Sequence, residues 1–100
     1  GVGYDHCFVL SGNEPCARLV SRESGIAITL ATDMPAVQFY AGGATGLRLG
    51  KGGAIYGKNS GLCLETQYYP DSPNHPEFPS ALLRAGEKYY SKTSYKFSIC

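Results

Sequence analysis

Tryptophan is absent from this 100-residue chain, methionine occurs once and histidine twice. No apolar run approaches the roughly 20 residues that a membrane-spanning helix needs, which excludes such a span. Neither sign of charge dominates, since nine Lys and Arg face eight Asp and Glu for a net charge of +1. Because nucleic acids and anionic membranes are usually bound by a basic excess, we expect neither as a partner.

Closely spaced cysteine pairs are also missing, because Cys7, Cys16, Cys63 and Cys100 are scattered along the chain. Zinc sites usually draw on Cys-x-x-Cys pairs, so a zinc centre is not expected. We predict reduced, mostly buried thiols in a cytoplasmic protein, while the alternative is a secreted protein with one of three disulfide pairings. The start at Gly1, without an initiator methionine or a signal motif, is typical of an internal point in a longer sequence.

Strand patterns dominate the chain, whereas helical periodicity is hard to find. No stretch of about 11 residues repeats apolar positions at helical spacing without an interrupting Gly or Pro, and the best helix candidate, residues 80–85, is barely one turn long. Ile26, Ile28 and Leu30 alternate with smaller or polar residues, as is typical of a strand. Further β-prone runs cover residues 8–10, 18–20, 37–40, 54–56 and 95–99. We therefore predict an all-β sandwich without an internal domain boundary.

Turn-forming residues separate these runs. Residues 11–15 and 23–25 have the composition of hairpin connections. Residues 41–53 contain six glycines and residues 70–79 contain four prolines, so we expect loops there and no strands. Long loops on a β scaffold are common places for binding.

Glu65 is chemically conspicuous because it interrupts an otherwise apolar run. On a strand, Cys63, Glu65 and Gln67 project to one face, and Leu64 and Thr66 project to the other. A carboxylate in this position faces solvent, finds a hydrogen-bond donor, or has its pKa raised by desolvation. Two interpretations follow: an exposed charge on the wet face of a sheet, or a general base.

Asp5 and Gln38 raise the same question in two other runs. Asp5 stands immediately before an apolar run, and Gln38 interrupts a run of Val, Phe and Tyr. The two histidines, His6 and His75, are more simply interpreted as structural or exposed, because sequence alone does not provide the geometry of a catalytic triad.

Four motifs follow one another in a fixed order: Gly-Tyr-Asp-His at residues 3–6, Pro-Ala-Val-Gln-Phe-Tyr at 35–40, Cys-Leu-Glu-Thr-Gln at 63–67, and the proline-rich segment at 70–79. In this order they resemble the C-terminal part of the aldose 1-epimerases, or galactose mutarotases. The resemblance covers essentially the whole chain but only the last portion of a family member. It implies that residues 1–100 are a single segment of a large antiparallel β-supersandwich, incomplete in this chain alone.

The resemblance also implies an activity, the interconversion of the α and β anomers of an aldohexose such as galactose or glucose, without a metal or organic cofactor. By position, Glu65 corresponds to the catalytic base, and Asp5 and Gln38 correspond to sugar-binding residues. The family's general acid is a histidine upstream of this chain, and neither His6 nor His75 matches it. We therefore expect a companion polypeptide, or the missing N-terminal part, to supply the acid and complete the β-supersandwich.

The missing acid leaves a second interpretation open. The chain would then be a carbohydrate-binding or small-molecule-binding module that is derived from the mutarotase fold and does not catalyse. A third interpretation is a purely structural or partner-binding role, and a salt bridge that holds Glu65 remote from any cleft would favour it. For an epimerase we expect a role in carbohydrate metabolism in the cytoplasm.

Overall fold

The computed structural model describes residues 3–100, so Gly1 and Val2 of the predicted segment lie outside the described residues. Its strands are β1 Asp5–Val9, β2 Ala17–Val20, β3 Ile26–Thr32, β4 Ala36–Tyr40, β5 Arg48–Leu49, β6 Ile55–Tyr56, β7 Cys63–Gln67 and β8 Thr93–Ile99. Single 3-10 turns occur at Lys51–Gly53 and Ser72–Asn74. Residues 3–100 contain no α-helix, and therefore none with the length and apolarity to cross a bilayer. The all-β prediction is confirmed.

Six of the strands form two antiparallel sheets of three strands each. Sheet 1 has the order β1-β4-β7 and sheet 2 has the order β2-β3-β8, while β5 and β6 pair as a separate ribbon. The predicted alternation in β3 is confirmed: Ile28 lies opposite Phe97 and Leu30 opposite Tyr95, so these side chains share one face of sheet 2.

The two sheets pack against each other as a sandwich, in agreement with the prediction. The Tyr95 hydroxyl on sheet 2 donates a hydrogen bond of 2.7 Å to the carbonyl oxygen of Leu64 on sheet 1. The Thr93 hydroxyl lies 2.8 Å from that of Thr32 within sheet 2 and 3.1 Å from that of Thr66 on sheet 1. These contacts fix which face of sheet 1 points inwards.

The core between the sheets is small. Of the four buried apolar residues, Leu30 and Val37 lie on the facing sides of the two sheets, whereas Ala27 and Ala36 lie on the outer sides by strand alternation. A cavity of about 290 Å³ separates the inner face of sheet 1 from β2 and is lined by side chains such as Phe8, Leu19, Phe39 and Leu64. Large apolar side chains at the end of sheet 2 stay exposed, with Phe97 at 67% and Ile99 at 82%. The side chains of residues 3–100 thus leave part of the space between the sheets unfilled and part of sheet 2 uncovered.

One predicted hairpin is wrong and the other is confirmed. Residues 11–15 do not join paired strands, because β1 pairs with β4 and β2 pairs with β3, so this segment crosses from one sheet to the other. The turn composition was identified, but composition does not reveal the partner of a strand. The turn between β2 and β3 closes as expected, with the Gly25 N–H donating to the Ser21 carbonyl at 2.9 Å.

The glycine-rich segment at residues 41–53 is not strand-free, contrary to the prediction. Its residues Arg48–Leu49 form β5 and pair with β6, the strand expected at residues 54–56. A strand of two residues is too short to show periodicity. Residues 70–79 are irregular as expected, apart from one 3-10 turn, and residues 80–85 form no helix.

All four cysteines are unpaired. Cys7 and Cys16 are half-buried, whereas Cys63 and Cys100 are exposed, so the prediction of mostly buried thiols is wrong. The reason is positional: Cys63 alternates with Leu64 and projects to the outer face of sheet 1, while Cys100 follows β8 at the edge of sheet 2. The cytoplasmic location stays a prediction.

Candidate functional site

The three predicted site residues lie on one face of sheet 1. Gln38 on the central strand β4 is directly opposite Glu65 on β7 and opposite Cys7 on β1. Asp5 is two residues before Cys7 and therefore projects to the same side. Since the Thr66 side chain, which alternates with Glu65 on β7, contacts Thr93 of sheet 2, the side chains of Asp5, Gln38 and Glu65 point away from sheet 2. Strand register brings together residues that are 60 positions apart in sequence.

Asp5 and Gln38 are in direct contact. The Gln38 Nε2 donates a hydrogen bond of 2.8 Å to Asp5 Oδ1. The second amide hydrogen and the carbonyl oxygen of Gln38, with the other carboxylate oxygen of Asp5, leave both donor and acceptor capacity on this face. Such a mixture suits a ligand that carries several hydroxyl groups, because each hydroxyl both donates and accepts.

Glu65 is exposed, so its carboxylate faces solvent, one of the outcomes anticipated from the sequence. The ion pairs of the described residues both involve His75, with Asp71 and with Glu77. The salt bridge that would favour a purely structural role for Glu65 is therefore absent from residues 3–100. An unpaired carboxylate on an open sheet face is available to accept a proton from a bound molecule.

Further polar side chains extend this face, and we call Asp5, Cys7, Gln38, Glu65 and Gln67 together the polar strip. The Gln67 amide reaches across β4 and donates to the Cys7 Sγ at 3.5 Å. At the other end of the strip, Tyr40 and Cys63 lie beside Asp5 in the register of the sheet. Cys7 and Tyr40 were not predicted as part of this face. Their spacing could have indicated it, because Cys7 follows Asp5 by two residues and Tyr40 follows Gln38 by two residues.

Neither histidine is part of the polar strip. His6 is opposite Phe39 and so belongs to the inner face of sheet 1. The two ring nitrogens of His75 each lie 3.2 Å from a carboxylate oxygen, one of Asp71 and one of Glu77, within the proline-rich segment. That neither histidine is the general acid for Glu65 stays a prediction.

One carboxyl group outside the strip has a clearly shifted pKa. The Ser91 hydroxyl donates to Asp33 at 2.7 Å and lowers the pKa of Asp33 below its ordinary value of 3.8. Asp33 lies between β3 and β4 and takes no part in the polar strip. Within residues 3–100, no three His, Cys, Asp or Glu side chains are grouped so that they could hold a metal ion.

The fold and the polar strip define a β-sandwich protein with an exposed polar sheet face, and comparison with known proteins identifies its family. The family model described as aldose 1-epimerase matches residues 1–96, so the chain belongs to the aldose 1-epimerase family. The galactose mutarotase of Mus musculus is 50% identical, over 97% of this chain and 30% of that protein. The aldose 1-epimerase of Escherichia coli K12 is 41% identical, over 95% of this chain and 29% of that protein.

A solved structure gives the same result for the fold. The crystal structure of the GalM/aldose epimerase homologue from C. elegans superposes with a TM-score of 0.83 at 32% sequence identity. The superposition covers 96% of this chain and 30% of that chain. The chain thus spans 30% of the length of the mouse relative, and the prediction of a partial mutarotase-like β-supersandwich is confirmed.

Proposed function

We propose that this chain contributes to the interconversion of the α and β anomers of an aldohexose, with Glu65 as the catalytic base. One observation carries the proposal: the register of sheet 1 aligns Gln38 with Glu65 on an open face, and Gln38 contacts Asp5. Membership of the aldose 1-epimerase family supports the reaction class.

The proposed chemistry needs a base and an acid at neighbouring atoms of the sugar. Glu65 takes the proton from the hydroxyl on the anomeric carbon, and the electron pair left on that oxygen forms a carbonyl as the bond to the ring oxygen breaks. A general acid gives a proton to the ring oxygen. The open aldehyde rotates about its bond to the next carbon, and closure on the other face reverses both proton transfers.

Asp5 and Gln38 hold the sugar in this proposal. Their mutual hydrogen bond orients the Gln38 amide, so that its carbonyl oxygen and second N–H are fixed relative to Glu65. Fixing the ring in this way places the anomeric hydroxyl within reach of the carboxylate, which lowers the entropic part of the barrier.

The general acid comes from outside residues 3–100 in this proposal. His6 lies on the inner face of sheet 1, and His75 is held by two carboxylates of its own segment. We therefore propose that the remaining part of the mutarotase fold, on the same or a companion polypeptide, brings a histidine to the face of Glu65. The 30% coverage of the relatives supports this.

Substitution of the base provides the test. We expect Glu65→Gln to lower kcat for mutarotation by about 10²–10⁴-fold, the usual contribution of a general base, while sugar affinity changes little. Polarimetry on freshly dissolved α-D-galactose and calorimetric sugar binding measure the two quantities, using the protein isolated with any polypeptide that accompanies it. Glu23→Gln, an exposed glutamate in the turn between β2 and β3, is the matched control. Equal kcat for Glu65→Gln and the wild type would refute the role of Glu65.

A binding module without catalysis is the second candidate. It is favoured because His6 lies on the inner face of sheet 1 and both ring nitrogens of His75 are engaged by carboxylates of its own segment. In that case neither the wild type nor Glu65→Gln accelerates mutarotation. Sugar would still bind to the wild type, and Gln38→Leu would weaken this binding because the amide contacts are lost.

A further inference from the structure

A cavity of about 350 Å³ lies at one end of the polar strip and is not part of the proposed reaction site. It is lined by Tyr40, Thr45, Tyr56, Ser60 and Cys63, together with small or apolar neighbours. Two tyrosine rings with their hydroxyls and the hydroxyls of Thr45 and Ser60 form a wall with apolar surfaces and hydrogen-bonding groups side by side. The volume is at the lower end of the range of about 300–1,000 Å³ that is usual for small-molecule sites.

The strand register connects this cavity to the polar strip. Tyr40 is opposite both Asp5 and Cys63, one side-chain step along the sheet from the row that holds Gln38 and Glu65. Two residues of a strand cover about 6.7 Å, a span comparable with the width of a pyranose ring. A sugar with its anomeric carbon at Glu65 and its ring along the strip therefore has its opposite end at the mouth of the cavity.

The wall of the cavity is fixed by local packing. The Tyr56 ring lies against Gly50 so closely that a Cβ at this glycine would clash with the ring. The Tyr40 hydroxyl accepts a hydrogen bond of 3.0 Å from the Ala44 N–H, and the Ser60 hydroxyl accepts one of 2.8 Å from the Gly57 N–H. Each of these hydroxyls keeps its own hydrogen for donation to a ligand.

From these observations we propose that the cavity is a second subsite, and that Tyr56 determines specificity for a hydroxylated ring attached to the aldose at the end remote from its anomeric carbon. This rests on the proposed function, because the sugar must lie on the polar strip with its anomeric carbon at Glu65. The Tyr56 ring then stacks on the apolar face of the second ring, and the Thr45 and Ser60 hydroxyls bond its hydroxyl groups.

Two sugars with the same reducing residue separate the subsite from the reaction site. Cellobiose carries a second glucose at O4 of its reducing glucose, whereas D-glucose carries none. In the wild type we expect cellobiose to bind more tightly than glucose by calorimetry. In Tyr56→Ala we expect the affinity and kcat/KM for cellobiose to fall by about tenfold, with less than a twofold change for glucose.

Two further variants test whether the effect of Tyr56 depends on its hydroxyl group or on the position of its ring. Tyr56→Phe keeps the stacking surface and should retain most of the preference for cellobiose. Gly50→Ala, at a backbone φ of −108° that any residue adopts, should displace the ring and reproduce part of the Tyr56→Ala loss. Tyr90→Ala, at an exposed tyrosine that does not line the cavity, is the control and should leave the affinity for both sugars unchanged.

The outcomes distinguish this inference from the proposed function. Equal affinity of the wild type for the two sugars, or an equal loss of both in Tyr56→Ala, would refute the subsite while leaving the role of Glu65 intact. Tighter cellobiose binding that depends on Tyr56, without mutarotation of either sugar, would support the subsite and contradict the catalytic proposal.

Discussion

A shift of one residue in the register of β7 would move Glu65 from the outer face of sheet 1 to the inner one. The neighbours of Glu65 prevent this shift. Thr66 bonds the Thr93 hydroxyl, and the Leu64 carbonyl accepts the Tyr95 hydroxyl, both from sheet 2. The Thr66 side chain, on the opposite face of the strand from Glu65, thus favours the register that leaves the carboxylate exposed, and the bond to the Leu64 carbonyl adds to it.

Asp33 is expected to make the stability of the fold depend on pH. Its pKa is lowered chiefly by the Ser91 hydroxyl and further by the Lys92 N–H. A carboxyl group with a lower pKa in the folded than in the unfolded protein stabilises the fold above its ordinary pKa of 3.8, and this stabilisation is lost as pH falls through the folded pKa. We expect Asp33→Asn to be less stable than the wild type at pH 7, with the difference closing towards pH 2.

Denaturant titrations at several pH values between 7 and 2 measure this difference. Ser91→Ala removes the main cause of the lowered pKa and should show a smaller loss of stability on acidification than the wild type. A gap between the wild type and Asp33→Asn that stays constant over the whole range would contradict the role assigned to the charge.

At the scale of elements, three threonines hold the end of the sandwich together. The Thr93 hydroxyl on β8 connects Thr32 on β3 with Thr66 on β7. Thr93→Val keeps the shape of the side chain but leaves the part-buried Thr66 hydroxyl without this partner, while Thr32 keeps the hydrogen bond from the Met34 N–H. An unsatisfied polar group costs about 1–3 kcal/mol. We expect a loss of that size in the free energy of unfolding, measured by denaturant titration, and Thr93→Ser should recover most of it. Equal stability of the two variants would show that the hydroxyl network contributes nothing.

The elements that were predicted correctly depend on patterns within one stretch of sequence, whereas the missed ones depend on contacts between distant stretches. The alternation of Ile26, Ile28 and Leu30 is set by burial on one face and is visible in the chain itself. Strand pairing is not visible there, which is why residues 11–15 were assigned to a hairpin although they connect different sheets. Each strand of the ribbon formed by β5 and β6 has only two residues, so it shows no periodicity in the sequence. The contact of the Tyr56 ring with Gly50 beside this ribbon is likewise not visible in the sequence.

The candidate site shows the same limit. The side of β7 to which Glu65 points follows from its spacing to Leu64 and Thr66 and was predicted correctly. The hydrogen bond between Asp5 and Gln38 joins residues 33 positions apart and needs the register of β1 with β4. Only the resemblance to the family put these two residues in one site beforehand.

For the whole molecule, the exposed surface indicates that more structure packs against this chain. Its accessible surface is 7593 Å². A compact protein of 10.7 kDa exposes only about 5,500 Å². The radius of gyration is 16.3 Å, where about 13 Å is usual for 100 residues. Part of the excess is the apolar inner surface of sheet 2 around Phe97 and Ile99, which faces solvent although its alternation is that of a core strand.

Native mass spectrometry tests whether this surface is covered. We expect the protein isolated from its source to have a mass well above 10.7 kDa, either because the polypeptide is longer or because a companion accompanies it. The added part should shield Phe97 and Ile99, because exposed apolar patches of this extent and open strand edges promote aggregation. Hydrogen exchange that slows in β8 only when the added part is present would support this arrangement. A stable monomer of 10.7 kDa that binds no hydrophobic dye would contradict it, and a general acid for Glu65 would then have to be sought elsewhere.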